Sequence, residues 1–408
     1  MSLLPSSVKD HKMLMNKLDF AGKDETLLTI TLKDLHLFSD TRMSGSTLNY
    51  EGCLILRALI NIVPIKKGQQ ELHNANLISP VSWDHTTKLF RGEPTTNEAI
   101  PKWVDPSFPM AEFFNFCRAV DYYEHTAGQY PFDFCNRVPG ERLGIFFPLL
   151  YHRLDIHPTK TTNETINVSY FVQYVNSIIT HCYNVLSQER LPAMASVYVP
   201  HCKEFTIDGV VSSLVDGYMR IPLPKGKDVN AKSIVFIVEA KRSAMTEDQL
   251  QYQIITELSC LIYERRTDLI QSFRQGGKGG SKKRYQLLVQ FSGNQAWFHL
   301  ASFGLKHVQY LASVQNGRRL IRTYDPTATN RLEHGFISLT KFGPYDITSK
   351  RRDMIYFAEL CVAVFLTACQ NASNASDASL SLHRLATNYF GATPPSQNAT
   401  HRPRSATV

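Results

Sequence analysis

The sequence predicts an α/β fold of the α+β kind, a small mixed sheet flanked by helices, and three observations predict it. A segment over 165–186 carries Phe171, Val175, Ile178, Cys182 and Val185 at steps of three and four, the spacing of one helical face. Extended apolar runs follow at 195–200, 215–221 and 233–240, the last two joined by a Pro-, Gly- and Asn-containing stretch that reads as the connection of a hairpin. A second helical period over 245–263, with Leu250, Ile254, Leu258, Leu261 and Ile262 on its apolar face, then leads to a hairpin of 285–291 with 296–303 around Ser292-Gly293-Asn294-Gln295.

Outside this stretch the elements are sparser. Residues 27–32 read as a strand, and 110–123 as a helix through Phe113, Phe114, Cys117 and Val120. Pro131, Pro139, Pro148 and Pro158 interrupt the chain, and a polar run follows them, so a boundary is expected near residue 160. The expected organisation is an N-terminal accessory domain over 1–160, the α/β domain over 161–315, a helical extension over 316–390 packed on that core, and a disordered tail over 391–408. The extension includes a helix over 351–369. Its most apolar part, 356–368, contains Glu359 and is shorter than the roughly 20 residues of a bilayer crossing, so it is read as a buried helix with no membrane partner.

Composition bounds the functional classes. With 408 residues, 43% hydrophobic and 20% charged, the chain has the make-up of a folded protein with real cores. The first 20 residues lack an apolar stretch followed by a small-residue cleavage site, which points to an intracellular protein, cytoplasmic or nuclear. Eight cysteines without a CxxC pair suit reduced, buried thiols, with no disulfide-linked partner. His181-Cys182 and His201-Cys202 read as incidental neighbours, since adjacent residues are poor joint zinc ligands. A net charge of +8 favours a polyanionic partner, because Lys and Arg that neutralise phosphates dominate nucleic-acid affinity.

The chemistry concentrates at one point. In Ser233-Ile-Val-Phe-Ile-Val-Glu239-Ala-Lys241 an apolar strand ends in a carboxylate and an ammonium two residues apart, which strand alternation puts on one face. Asp216, in Leu214-Val-Asp216-Gly-Tyr-Met-Arg220, stands at the head of the preceding strand, and hairpin pairing would bring it within reach of Glu239. Tyr218 and Arg220 share its face. Two carboxylates offer hard oxygen ligands of the kind Mg²⁺ takes together with water and phosphate oxygens.

An Asp heading one strand, Glu-x-Lys closing the next and a helix on either side resemble the PD-(D/E)xK nuclease superfamily, and the resemblance spans about 140 of the 408 residues. The later hairpin, from Gln286 through Trp297, is similar to strands of fungal and oomycete effector-like nuclease domains. The resemblance implies a restriction-endonuclease-like core and hydrolysis of phosphodiester bonds in DNA or RNA. Asp216 and Glu239 would bind Mg²⁺ or Mn²⁺, and Lys241 would serve the attacking water. A glutamine on the following helix would orient the cluster, Gln253 in first place and Gln249 as the alternative. Asp208 competes with Asp216 for the first acidic role, and no proline precedes Asp216. The segment 265–284, read as a flexible glycine-containing basic loop, supplies Arg274, Lys278, Lys282, Lys283 and Arg284 as candidate phosphate contacts. The alternative reading is an inactive nuclease-like protein that binds nucleic acid or acts as an effector or interaction protein.

Overall fold

The computed structural model describes residues 4–17, 29–30, 43–44, 50–92, 104–105, 107–125, 164–187, 198–199, 203–207, 211–221, 234–241, 247–275, 282–313, 320–321, 335–347, 350–373 and 382–391. In chain order the first elements are helix α1 (Val8–Lys17), strands β1 (Thr29–Ile30) and β2 (Met43–Ser44), helix α2 (Tyr50–Ile55), strand β3 (Ala58–Ile62), and helices α3 (Ile65–Asn74), α4 (Pro80–Leu89) and α5 (Ala111–His125). Helix α6 (Glu164–Ser187) precedes strands β4 (Tyr198–Val199), β5 (Lys203–Ile207), β6 (Val211–Val215), β7 (Gly217–Arg220) and β8 (Ile234–Lys241). Helices α7 (Glu247–Glu264) and α8 (Arg266–Gln275) lead to β9 (Arg284–Ser292), β10 (Gln295–Phe303), helix α9 (Leu305–Ala312), β11 (Leu320–Ile321) and β12 (Ile337–Asp346). Helices α10 (Arg351–Ser373) and α11 (Leu382–Gly391) complete the described chain.

The core is a seven-stranded mixed sheet in the order β3-β12-β10-β9-β8-β7-β4. The two hairpins expected from the sequence are both present. Strand β7 pairs antiparallel with β8 through Gly217↔Val238, and β9 pairs antiparallel with β10 from Ser292↔Gln295 to Arg284↔Phe303. Gly293 sits in the two-residue turn of the second hairpin with φ of 61°, a conformation that glycine adopts without steric cost. Strands β8 and β9 run parallel, from Phe236↔Leu287 to Lys241↔Ser292, so the chain must cross over between them, and α7 and α8 make that crossover.

One sheet face carries Phe236, Val238, Ala240, Val289, Phe298 and Phe342 into a core covered by α5, α6 and α10. The opposite face carries Ile237, Leu288, Ala301 and Leu339 against α7. Helices on both faces explain why β8 is an almost continuous apolar run instead of an alternating one. Helix α10 is apolar and long enough by composition to cross a membrane, but Met354, Phe357, Ala358, Leu360, Cys361 and Phe365 lie buried inside the protein. The six described cysteines are buried as well.

Three sequence expectations change. The division near residue 160 does not mark a break in the sheet, because Ala58–Ile62 pairs in parallel with β12 through Ala58↔Ile337 to Ile62↔Lys341. Residues of the first 160 also enter both cores, Phe113 and Phe116 on one side and Cys53 and Leu56 on the other. Second, the extension over 316–390 is not only helical, since it contributes β12 inside the sheet. Third, the supposed basic loop is largely structured, with Arg266–Gln275 forming α8. The proline-containing joint, the connection between β7 and β8, and the tail beyond Gly391 lie outside the described residues.

An aromatic cluster surrounds Phe298. Its ring stacks on Phe342 at 5.3 Å between centroids and lies 5.2 Å from Phe357 and 5.8 Å from Tyr345. Gly68 of α3 makes this approach possible, because a Cβ there would lie 2.0 Å from the Phe342 ring. Phe298→Ala should therefore cost about 3–5 kcal/mol in denaturant unfolding, the range for emptying a close-packed aromatic site. A loss below about 1 kcal/mol would contradict packing of this kind.

Candidate active site

Strand β8 is flanked by β7 and β9. On the face toward α7, Ile237 is followed by Glu239, whose side chain is fully buried. A carboxylate in such a place needs hydrogen-bond partners, since desolvating an ionised group without them is strongly unfavourable. Gln253 of α7 supplies one. Its Nε2 donates to Glu239 Oε1 and, at 3.1 Å, to Glu257 Oε1 one turn further along the same helix face. One amide thus holds two buried carboxylates, and Gln253 Oε1 has no hydrogen-bond partner among the described residues.

Asp216 lies at the bend where the chain leaves β6, in a small sheet with β2 and β5, and enters β7 of the main sheet. The Gly217↔Val238 pairing continues to place Asp216 beside Glu239, and Asp216 Oδ2 accepts the Ala240 amide at 2.8 Å. The sequence-predicted Asp216, Glu239 and Gln253 are therefore neighbours. Lys241 ends β8 opposite Ser292, with its side chain outside the described residues. Asp208 also lies outside them, while Tyr218 is buried beneath α7 and Arg220 is partly buried.

Helix α7 differs from the one-sided amphipathic helix expected. Gln251, Gln253, Thr256, Glu257 and Ser259 are buried together with the apolar stripe. The reason is tertiary: Gln253 and Glu257 meet Glu239 of the sheet, and the β5–β6 hairpin and α2 also pack against α7. Gln249, the alternative to Gln253, is on the exposed part of the first turns.

A polar tier continues from Glu239 across the sheet. Gln290 is the ladder partner of Glu239 on β9 and is 1% exposed. Its Oε1 accepts a hydrogen bond from His299 Nε2 of β10 at 2.7 Å. His299 pairs with Lys341 of β12, whose ammonium meets Glu247 at the start of α7 and lies 4.9 Å from the Trp297 ring centroid. Burial, reinforced by the Lys341 charge, holds the His299 imidazole far below its ordinary pKa, so the ring is neutral. Burial works to raise the Glu247 carboxyl, but the hydrogen bond and charge of Lys341 outweigh it and leave the pKa below the usual value. Sequence reading passed over Gln290, His299 and Lys341 as site residues. Polar side chains at inward positions of otherwise apolar strands were their only signal.

The basic residues are elsewhere. Arg284 begins β9 six residues before Gln290, which puts it roughly 20 Å from the Glu239 end of the sheet. Its guanidinium lies 4.6 Å from the Phe273 ring centroid and donates to the Ser272 carbonyl at 3.2 Å, so it fastens α8 to the sheet. Arg274 and Lys282 are exposed, and Lys283 is partly buried beside a cleft of about 410 Å³ that Lys67, Glu71 and Thr340 also line. Lys278 lies outside the described residues.

Among the described residues no group of three His, Cys, Asp or Glu side chains stands ready as a metal cage. Mg²⁺ does not require one, since it keeps several waters and needs one or two carboxylates beside substrate oxygens. Carboxylate oxygens such as those of Asp216 and Glu239 are of the hard kind that this cation takes. His181 shows no such character: it is buried, with Nδ1 3.6 Å from Glu112, and burial lowers its pKa to about 4. His201 and Cys202 lie outside the described residues.

Compared with known proteins, the sequence matches no family model, and no curated protein matches it significantly.

Proposed function

We propose that the protein is a metal-dependent nuclease that hydrolyses phosphodiester bonds in DNA or RNA, with a restriction-endonuclease-like core resembling the PD-(D/E)xK superfamily. The observation that carries this reading is the convergence of Asp216, Glu239 and Gln253 where β8 ends, on a β8–α7–β9 crossover. Glu239 and Asp216 would hold Mg²⁺ or Mn²⁺, and Gln253 fixes the Glu239 carboxylate from the helix side. The bound ion supplies Lewis-acid polarisation of the phosphoryl group and a more acidic water. Lys241, two residues beyond Glu239 on β8, would offset negative charge that develops on the phosphate.

Full burial of Glu239 and the distance of Arg284 from it favour a second reading, a nuclease-like fold that binds nucleic acid or acts as an effector without cutting. The purified full-length chain, incubated with plasmid DNA, single-stranded DNA and RNA, separates the two. Cleavage with Mg²⁺ or Mn²⁺ that EDTA abolishes is expected from the first. Salt-sensitive binding with no cleavage under either ion would reject it in favour of the second.

A further inference from the structure

The proposed site uses Glu239, but nothing in the sequence motif uses the residue beside it in the sheet. Gln290 is the direct partner of Glu239 in the parallel β8–β9 ladder, so the two side chains leave the same sheet face as neighbours. It is 1% exposed, and its Nε2 has no hydrogen-bond partner among the described residues. A buried amide donor left in that condition costs stability, and leucine would fill the same volume without that cost. The buried polar end therefore calls for an account other than packing.

Its orientation follows from His299. Gln290 Oε1 can only accept, so the proton of the 2.7 Å bond belongs to His299 Nε2. A neutral imidazole has one N–H, which leaves His299 Nδ1 bare, and Nδ1 indeed has no hydrogen-bond partner among the described residues. His299 is on β10 and Glu239 on β8, on opposite sides of β9. With Oε1 turned toward β10, the amide nitrogen is left for the Glu239 side.

We infer that Gln290, held by His299, is a positioning residue: its amide nitrogen, not hydrogen-bonded to Glu239 in this structure, takes up that carboxylate from the sheet side when the site is loaded and complements the bond that Gln253 makes from the helix side. The inference rests on the nuclease reading of Glu239. It adds a strand-borne pair, Gln290 and His299, to a site otherwise drawn from β7, β8 and α7.

The test is Mn²⁺-dependent plasmid cleavage by the full-length protein and by Gln290→Leu, His299→Leu and His299→Gln, with kcat, KM and thermal melting recorded for each. Gln290→Leu and His299→Leu should lower kcat about 10- to 100-fold, the range for losing a group that orients a metal ligand, with KM for the plasmid little changed. Gln290→Leu should melt no lower than wild type. His299→Gln keeps an N–H donor for Gln290 Oε1 and should restore most of kcat. Wild-type kcat in both leucine variants would overturn the positioning role and leave the nuclease reading standing. A fall in kcat that only follows a fall in melting temperature, without rescue by His299→Gln, would also overturn it. Absence of cleavage by the wild type would overturn both.

Discussion

Glu239→Gln should abolish cleavage, lowering the rate by about 10³-fold or more, equivalent to about 4 kcal/mol of transition-state stabilisation. The substitution keeps the size of the side chain and an oxygen that can accept from Gln253 Nε2, so the local packing survives. It removes one of two carboxylates that share that amide, and relieving close like charge in a dry setting is neutral or stabilising. Lost activity with an unchanged or raised melting temperature is therefore the signature. Wild-type rates in this variant would eliminate Glu239 as a metal ligand and with it the proposed chemistry.

Acid should unfold the protein well before its carboxylates are fully protonated. His11 donates from Nε2 to the Leu54 carbonyl at 2.7 Å, and His307 donates from Nδ1 to the Gly335 carbonyl at 3.0 Å. Burial lowers both to about 4, opposed in each by the backbone hydrogen bond and reinforced by the charge of Arg57, whose guanidinium lies 4.0 Å from the Tyr310 ring centroid. Burial also lowers His181 to about 4. A histidine whose folded pKa lies below its unfolded pKa binds fewer protons when folded, so its full contribution is present above about 6.5 and declines as pH falls toward 4. Each depression of this size is worth about 3 kcal/mol at the acid end, and two such groups amount to about half of a typical net stability. Melting followed from pH 7 to pH 4 should show a steep decline below about 6.5 that becomes shallower, without disappearing, in the double variant His11→Gln, His307→Gln, which still carries the buried His181 and His299. A melting temperature constant over that range would disprove buried neutral histidines at these positions.

Local pattern made much of the segment from α6 to β10 legible. The period of Phe171, Val175 and Ile178 anticipated α6, and Gly293 between two apolar runs anticipated the β9–β10 hairpin. The apolar strand ending at Glu239 was equally readable, because a buried central strand leaves little choice of side chain until it emerges. The pairing of Ala58 with Ile337 was not, since it joins segments far apart in the chain and carries no mutual signature in either. The burial of polar residues along α7 was not legible either, apart from Gln253, because it depends on Glu239 of the sheet and on β5, β6 and α2 coming to lie against the helix.

From sequence alone came the order of elements around β8 and the candidates Asp216, Glu239 and Lys241, because periodicity and strand alternation act over a few residues, and the family resemblance added Gln253. Tertiary structure alone decided that β3 joins the main sheet, that Gln290, His299 and Lys341 extend a buried polar tier from Glu239, and that Arg284 stands at the far end of β9. Register across strands and the burial of a polar side chain depend on which distant segments come to lie beside it, and no local spacing encodes that choice.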